Sequence, residues 1–282
     1  MNGSPASSLD RYAVVGNPVA HSLSPVIHAR FAADCGQSIA YERLLAPLDG
    51  FEATVAAFRA AGGRGLNVTV PFKREAAAMA DRLSERVRQA GAANTLGFDA
   101  DGIWADNTDG LGLVADLRGR LGMALAGARL VLLGAGGAAR GVIGPLLDAG
   151  ASRLVIVARR PEQAADLLAG FGDPRLAAGG FEDLAGMRAD IVVNATSASL
   201  AGADLPIPAA FWSSPRLAYD MVYGAEPTGF MRAALAGGCA QASDGLGMLV
   251  EQAAESFAMW RGVRPATARV FAAVRASVSA GR

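Results

Sequence analysis

The chain has 282 residues, 52% hydrophobic and 18% charged, with 26 basic side chains against 26 acidic ones. This composition supplies ample material for a buried core and argues against disorder. Zero net charge without a basic stripe argues against a nucleic-acid partner. The longest uncharged run, Tyr12 to Ala29, is broken by Gly16, Asn17, Pro18 and Pro25, so it predicts no membrane span. The start, MNGSPASSLDRY, has neither the basic nor the apolar region of a secretory signal. Cys35 and Cys239 fit no metal-ligand or redox spacing, which predicts two free thiols in a reducing cytoplasm.

Short apolar runs alternate with longer amphipathic ones, the pattern of an α/β protein, and the length predicts two domains. YAVVG (12–16) predicts a strand and SPVIHARFAADCG (24–36) a helix, with Ser24 as N-cap and Pro25 at N1. IAYERLL (39–45) predicts a strand, FEATVAAFRAAGG (51–63) a helix ending in glycine, and GLNVTV (65–70) another strand. NTLGFDADGIWADN (94–107) predicts a hairpin turning at Asp101-Gly102, followed by a helix from about Gly110 to Gly122. The run ARLVLLGAGGAARGVIGPLLDAGASRLVIVARR (128–160) reads as strand, glycine turn, helix and strand. ADIVVNATS (189–197) and LAYDMVY (217–223) extend a parallel sheet. MLVEQAAESFAMWRG (248–262) has the three- and four-residue apolar spacing of an amphipathic helix.

The glycine turn carries the most specific chemistry. Gly134, Ala135, Gly136, Gly137, Ala138 and Ala139 fit G-x-G-x-x-G/A directly after an apolar strand and at the start of a helix. Gly134 permits the tight turn, Gly136 lets the backbone approach a pyrophosphate, and Ala139 lets helix pack on strand. The helix N-terminus then offers unpaired N–H groups to the phosphates. The second strand ends in Arg159 and Arg160 rather than an acidic residue, which predicts a 2′-phosphate and hence NADP(H) over NAD.

A second set of polar groups stands at the ends of apolar runs, in HSLSP, NVTVPFK, GAANT and DNTDG. Ligands of open α/β sheets bind outside the carboxyl ends of strands, so Ser22, Ser24, Asn67, Thr69, Lys73, Asn94 and Asp109 are candidates for one cleft. Hydroxyls, amides, one carboxylate and one ammonium suit a small polyhydroxylated acid. Each has a duller alternative: Ser24 and Asp109 as helix N-caps, Asn94 as a hairpin residue, and His21 and His28 as packing or solvated groups. Lys73 stands apart, because it is the single lysine among the 26 basic residues. Arginine holds its proton under all ordinary conditions, whereas a lysine can give one up. No G-x-S-x-G elbow, H-E-x-x-H helix, Walker A loop, calcium loop or zinc spacing offers a competing chemistry.

Taken together, HSLSP, NVTVPFK, GAANTL, NTDG, GAGGAARG, NATS, DMVY and MLVEQAAESFAMW resemble, in content and order, the shikimate dehydrogenases, from about Tyr12 to Gly262. The resemblance implies a two-domain α/β enzyme with a cleft. Residues 1–109, completed by C-terminal helices 247–282, would form the substrate-binding catalytic domain, and residues 110–246 a doubly wound Rossmann-type NADP domain. It implies reduction of 3-dehydroshikimate to shikimate in aromatic amino-acid biosynthesis, by a monomer or homodimer in the cytoplasm. Lys73 and Asp109 would be the catalytic pair, and Ser22 and Ser24 would hold the substrate carboxylate. Thr69, Asn94, Asp109 and Gln252 would meet the ring hydroxyls, with Tyr223 nearby. Gly134 to Ala138 would wrap the pyrophosphate and Arg159 would meet the 2′-phosphate. Thr196, Met221 and Gly245 would frame the nicotinamide end, with Glu85 near the cofactor. The chain departs from the family pattern at Ala158-Arg159-Arg160, at Ser199 after NATS and at Ala225 after DMVY. Leu23 within HSLSP is shared with some quinate-active relatives, so a quinate/shikimate or amino-shikimate dehydrogenase is the neighbouring alternative. A non-catalytic NADP-binding regulator is the alternative from another class.

Overall fold

The computed structural model describes residues 9–281. They form two compact units. The first runs through Arg88 and takes in Ala92–Asn107 and Ala253–Val270; the second contains Gln89–Gly91, Thr108–Gln252 and the chain from Phe271 onward.

The first unit is built on a mixed sheet. In chain order it contains β1 (Asp10–Gly16), α1 (Ser24–Asp34), β2 (Ile39–Leu45), α2 (Phe51–Ala60), β3 (Gly63–Val68), α3 (Lys73–Met79), β4 (Arg82–Leu83), α4 (Glu85–Ala90), β5 (Thr95–Asp99) and β6 (Gly102–Asp106). The strand order is β2-β1-β3-β5-β6-β4. β1 is parallel to β2 and β3, while β5 is antiparallel to both β3 and β6. Phe51, Val55 and Phe58 recur at helical spacing along α2 and bury against Leu66, Val68, Phe72 and Leu96. Register sets the functional edge. Val15 pairs with Val68, Asn67 with Thr95, and Thr95 with Asp106. The ends of β1, β3 and β6 and the start of β5 therefore share one rim.

The second unit carries α5 (Asp109–Gly119), β7 (Arg129–Leu133), α6 (Gly137–Asp148), β8 (Arg153–Val157), α7 (Pro161–Leu168), β9 (Leu176–Gly179), β10 (Ile191–Asn194), β11 (Leu217–Asp220), α8 (Gly229–Ala236) and β12 (Gln241–Ser243). α9 (Leu246–Arg261) and α10 (Ala268–Ser279) follow, and the boundary between the units falls within each of them. All strand pairings here are parallel, in the order β12-β11-β10-β7-β8-β9. The order reverses beside β7, as in a doubly wound sheet. Leu130, Leu132, Leu154 and Ile156 enter one core, and Val131, Leu133, Val155 and Val157 enter the other. Successive side chains point to opposite faces, and both faces are apolar, which is why these strands read as unbroken hydrophobic runs.

Several local expectations need correction. Leu23, not Ser24, is the N-cap of α1, and no side chain caps that helix. Ser22 Oγ accepts the N–H of Ser24 instead, at 3.3 Å. Thr108, not Asp109, is the N-cap of α5, which ends at Gly119 rather than Gly122. The hairpin turns at Ala100-Asp101, because Asp99 pairs with Gly102 across a two-residue loop. Gly102 already belongs to β6, at φ +115°, where an added Cβ would come within 2.2 Å of the Asp81 carboxylate. The chain from Phe271 groups with the second unit, whereas the sequence reading assigns all of 247–282 to the first. Phe271 lies beneath the guanidinium groups of Arg120 and Arg275, at 4.6 and 5.7 Å from its centroid, and no periodicity signals that contact.

Candidate active site

In the first unit, Ser22, Ser24, Asn67, Thr69, Lys73 and Asn94 follow or flank the strand ends that share the rim. The loop after β1 is drawn onto the loop after β3: Thr69 N–H donates to Val15 O (2.9 Å) and Asn17 N–H to Val70 O (3.0 Å). Gly16 is required there, since a Cβ would come within 2.4 Å of Thr69 Cγ2. Ser22 Oγ donates to Ser24 Oγ at 3.2 Å. Arg43, which the sequence reading missed, donates twice to Ser22 O, at 3.0 and 2.6 Å, and so anchors the serine loop to β2. Lys73 opens α3, and its carbonyl accepts the N–H of Ala93 (2.8 Å), which ties it to the segment carrying Asn94.

Asn67 is 6% exposed and already engaged. Its Oδ1 accepts from Tyr41 OH (2.7 Å), and its Nδ2 donates to Ser256 Oγ (2.9 Å) and more weakly to Asn94 O (3.3 Å). Thr95 Oγ1 donates to Asn94 Oδ1 (3.0 Å) and shares a 2.8 Å hydrogen bond with Ser256 Oγ. The network presses Asn94 and the end of β3 into fixed positions. Tyr41 and Ser256 were not foreseen: Tyr41 belongs to no motif, and Ser256 was read only as part of the amphipathic helix of MLVEQAAESFAMW. Behind them His28, fully buried, stacks on Tyr41 at 4.2 Å with an interplanar angle of 6°. Among the described residues neither of its ring nitrogens has a hydrogen-bond partner, and burial pushes its pKa down to about 3.

In the second unit, Gly134, Ala135, Gly136, Gly137, Ala138, Arg159 and Thr196 line one cavity of about 510 Å³. Gly134 is at φ +102°, the turn that only glycine adopts freely, and its Cβ would come to 3.0 Å from Thr196 Cγ2. At Gly136 and Gly137 an added Cβ meets nothing within 4 Å. The main chain at the N-terminus of α6 is therefore open to close approach by a phosphate-bearing ligand. The exposed Arg159 brings a guanidinium to the same cavity. An open glycine turn, a helix N-terminus and a cation at the end of the neighbouring strand fit NADP(H).

Arg160, Met221 and Gly245 do not line this cavity. Met221 and Gly245 do come together, since Gly245 N–H donates to Val222 O (3.1 Å) and a Cβ on Gly245 would reach 2.2 Å from Met221 O. Glu85 belongs to the first unit, with its side chain 69% exposed and paired with Arg88 at 3.2 Å. Gln163, Phe181 and the loop from Ala198 to Pro206 contribute lining that carried no motif. The position of that loop after β10 was the one available signal.

Asp109 opens α5 beside Thr108, whose Oγ1 donates to Gln252 Oε1 (3.3 Å). Gly112 allows this approach of α5 to α9: its Cβ would meet the Gln252 backbone nitrogen at 2.6 Å. Tyr223 is half-buried, and burial together with the Asp244 carboxylate pushes its phenol up.

Known proteins are similar to this chain along most of its length. Residues 14–96 match the family described as the shikimate dehydrogenase substrate binding domain, residues 117–202 the shikimate / quinate 5-dehydrogenase family, and residues 245–275 the shikimate 5′-dehydrogenase C-terminal domain. The chain is 54% identical to a shikimate dehydrogenase (NADP(+)) of Aromatoleum aromaticum, over 97% of this chain and 100% of the relative. Among solved structures, it is similar to an Ael1 enzyme from Pseudomonas putida, at a TM-score of 0.91 and 48% identity over 94% of this chain and 97% of that one. It is also similar to the shikimate 5-dehydrogenase of Thermus thermophilus, solved in complex with NADP(H) and shikimate. There the TM-score is 0.84 and the identity 34%, over 95% of this chain and 100% of that one. A glycine turn open to a dinucleotide and relatives matched from end to end converge: the chain belongs to the shikimate dehydrogenase family.

Proposed function

We propose that this protein is an NADP-dependent oxidoreductase that reversibly reduces 3-dehydroshikimate to shikimate. The observation that carries the reading is the near-complete correspondence, at 54% identity, with an NADP(+)-dependent shikimate dehydrogenase, in a chain whose glycine turn and Arg159 line one cavity. When bound, NADPH supplies the hydride. The chain's own residues bind, orient and move a proton. Lys73 Nζ gives its proton to the oxygen of the ring carbonyl as that oxygen becomes an alkoxide, and Asp109 is its partner in the transfer. Ser22 and Ser24 hold the substrate carboxylate with their hydroxyls, and Arg43 keeps their loop in place. Asn67, Thr69, Asn94, Tyr223 and Gln252 meet the substrate's ring hydroxyls. The N–H groups of the Gly134–Ala138 turn hold the pyrophosphate, and Arg159, with Arg160 beside it, selects the 2′-phosphate. Thr196, Met221 and Gly245 border the nicotinamide, and Glu85 lies near the cofactor.

The first unit is thus the substrate-binding part and the second the NADP-binding part of a monomer or homodimer that works in the cytoplasm. Cys35 and Cys239, both free thiols, fit a reducing compartment. Among the described residues no helix is long and apolar enough to cross a membrane. Quinate is the second substrate to consider, since the family matched by residues 117–202 is described by both names.

The test is a steady-state assay of the purified protein with shikimate and NADP⁺ against quinate and NAD⁺. The expected result is a dominant kcat/KM for shikimate with NADP⁺. Turnover of quinate with NAD⁺ at an equal or greater kcat/KM would replace this reading with the quinate one.

A further inference from the structure

Arg275 of the C-terminal helix α10 reaches the loop that carries Tyr223. Arg275 Nη1 donates to Gly224 O (3.2 Å), and Arg275 Nη2 donates to Asp244 Oδ1. The other carboxylate oxygen, Asp244 Oδ2, accepts the N–H of Gly224 (3.5 Å). One ion pair therefore engages both the N–H and the carbonyl of a single loop residue. Asp244 is 7% exposed, and its Oδ1 also accepts the N–H of Leu246 at the start of α9 (3.3 Å). The ring of Phe271, one turn earlier on α10, supports the Arg275 guanidinium. A planar guanidinium can serve two acceptors at once, which an ammonium on a flexible stem does poorly. Next to this clamp, the close contact of Gly245 with Met221 and Val222 joins the loops after β11 and β12 into one packed body.

We propose that Arg275, acting through Asp244 and Gly224, is a positioning residue for the reaction: it fixes the Met221–Gly224 loop, and with it the Tyr223 hydroxyl. This rests on the assignment of Tyr223 and Met221 to the substrate and nicotinamide ends under the proposed function. Without Arg275 the nearly buried Asp244 carboxylate loses its ion-pair partner, and the Gly224 carbonyl loses a donor. Both losses fall on the residue next to Tyr223.

The experiment compares full-length Arg275→Gln and Arg275→Lys with the parent protein. It measures turnover of shikimate with NADP⁺, NADPH binding by fluorescence, and hydrogen exchange of peptides covering residues 219–226. In Arg275→Gln, kcat should fall about tenfold while the NADPH Kd stays within about twofold, because the glycine turn and Arg159 are untouched. Exchange at residues 221–224 should accelerate in step. Arg275→Lys should recover part of both, since it keeps the charge towards Asp244 but cannot serve Gly224 equally well. Unchanged kcat and exchange in Arg275→Gln would overturn the proposal. A loss of NADPH-binding capacity in proportion to kcat would overturn it too, because it means a smaller folded fraction rather than a displaced loop. If the parent protein does not turn over shikimate, the functional reading fails by itself, and the exchange comparison still decides whether Arg275 holds the loop.

Discussion

At the rim of the first unit the candidate groups are side chains that hold one another: Tyr41, Asn67, Ser256, Thr95 and Asn94 form a chain of hydrogen bonds between 2.7 and 3.0 Å. At the glycine turn of the second unit they are main-chain amides, and an added Cβ at Gly136 or Gly137 meets nothing within 4 Å. Recognition in the first unit depends on the chemistry of particular side chains kept in register by a mixed sheet. In the second it depends on the absence of side chains at the start of one helix. The two regions should therefore respond differently to substitution, the first through lost chemistry or lost stability, the second through a blocked approach.

The largest effect is expected at Lys73. Lys73→Ala should lower kcat by roughly 10²- to 10⁴-fold with a much smaller change in KM, measured with shikimate and NADP⁺. Lys73→Arg should fail nearly as badly, since arginine keeps its proton. Near-full kcat in the arginine variant would show that charge alone is sufficient. Gly136→Val tests the opposite region. Its φ of −87° accommodates a side chain and the space in front is open, so Tm should hold while NADPH affinity falls on the order of 100-fold. A matching fall in Tm would mean that the turn is structural rather than open for a ligand.

Asn67→Leu sharpens the comparison from the other side. It leaves Tyr41 OH and Ser256 Oγ each short of a partner, so the unfolding free energy should drop by about 2 to 3 kcal/mol in denaturant titrations. The smallest effect concerns pH. His28 stays neutral when folded, with its pKa pushed from the ordinary 6.5 to about 3, whereas the unfolded chain takes up the proton below about 6.5. Stability should therefore fall as pH drops from about 6.5 towards 3, by ~2 kcal/mol at pH 5 from this residue. His28→Phe keeps the ring that stacks on Tyr41 and removes the titration, so its stability should depend less on pH over that window. Parallel stability curves for the two proteins would refute the assignment.

How much of this was legible in the sequence differs between the two regions. The glycine turn was readable because its determinants are contiguous: strand, Gly134, Gly136 and helix follow one another, and φ +102° at Gly134 is a demand that sequence displays directly. Asn67, Thr69, Lys73 and Asn94 were picked out as polar residues at strand ends. Their hydrogen-bond partners were not, because Tyr41 comes from a distant strand with no motif, and Ser256, although inside MLVEQAAESFAMW, was read only as part of an amphipathic helix. The capping errors at Ser24 and Asp109 have a local cause: a serine or aspartate beside a helix start suits the cap and the first turn almost equally, and only geometry separates them. The short strands β4, β9 and β12, of two to four residues, carried too few alternations to be read.

By itself the sequence determined the α/β class and the preference for a dinucleotide, because apolar periodicity and glycine spacing are local and survive translation into structure; the family, and the doubly wound second unit it implies, came from the resemblance of motifs in content and order. Only the tertiary structure decided which side chains meet: that Asn67 is held by Tyr41 and Ser256, that a buried His28 lacks hydrogen-bond partners among the described residues, and that Arg275 grips the residue next to Tyr223. Such contacts join residues up to 189 positions apart, as in Asn67–Ser256. They depend on register, helix placement and burial acting together, and no stretch of the chain encodes any one of them alone.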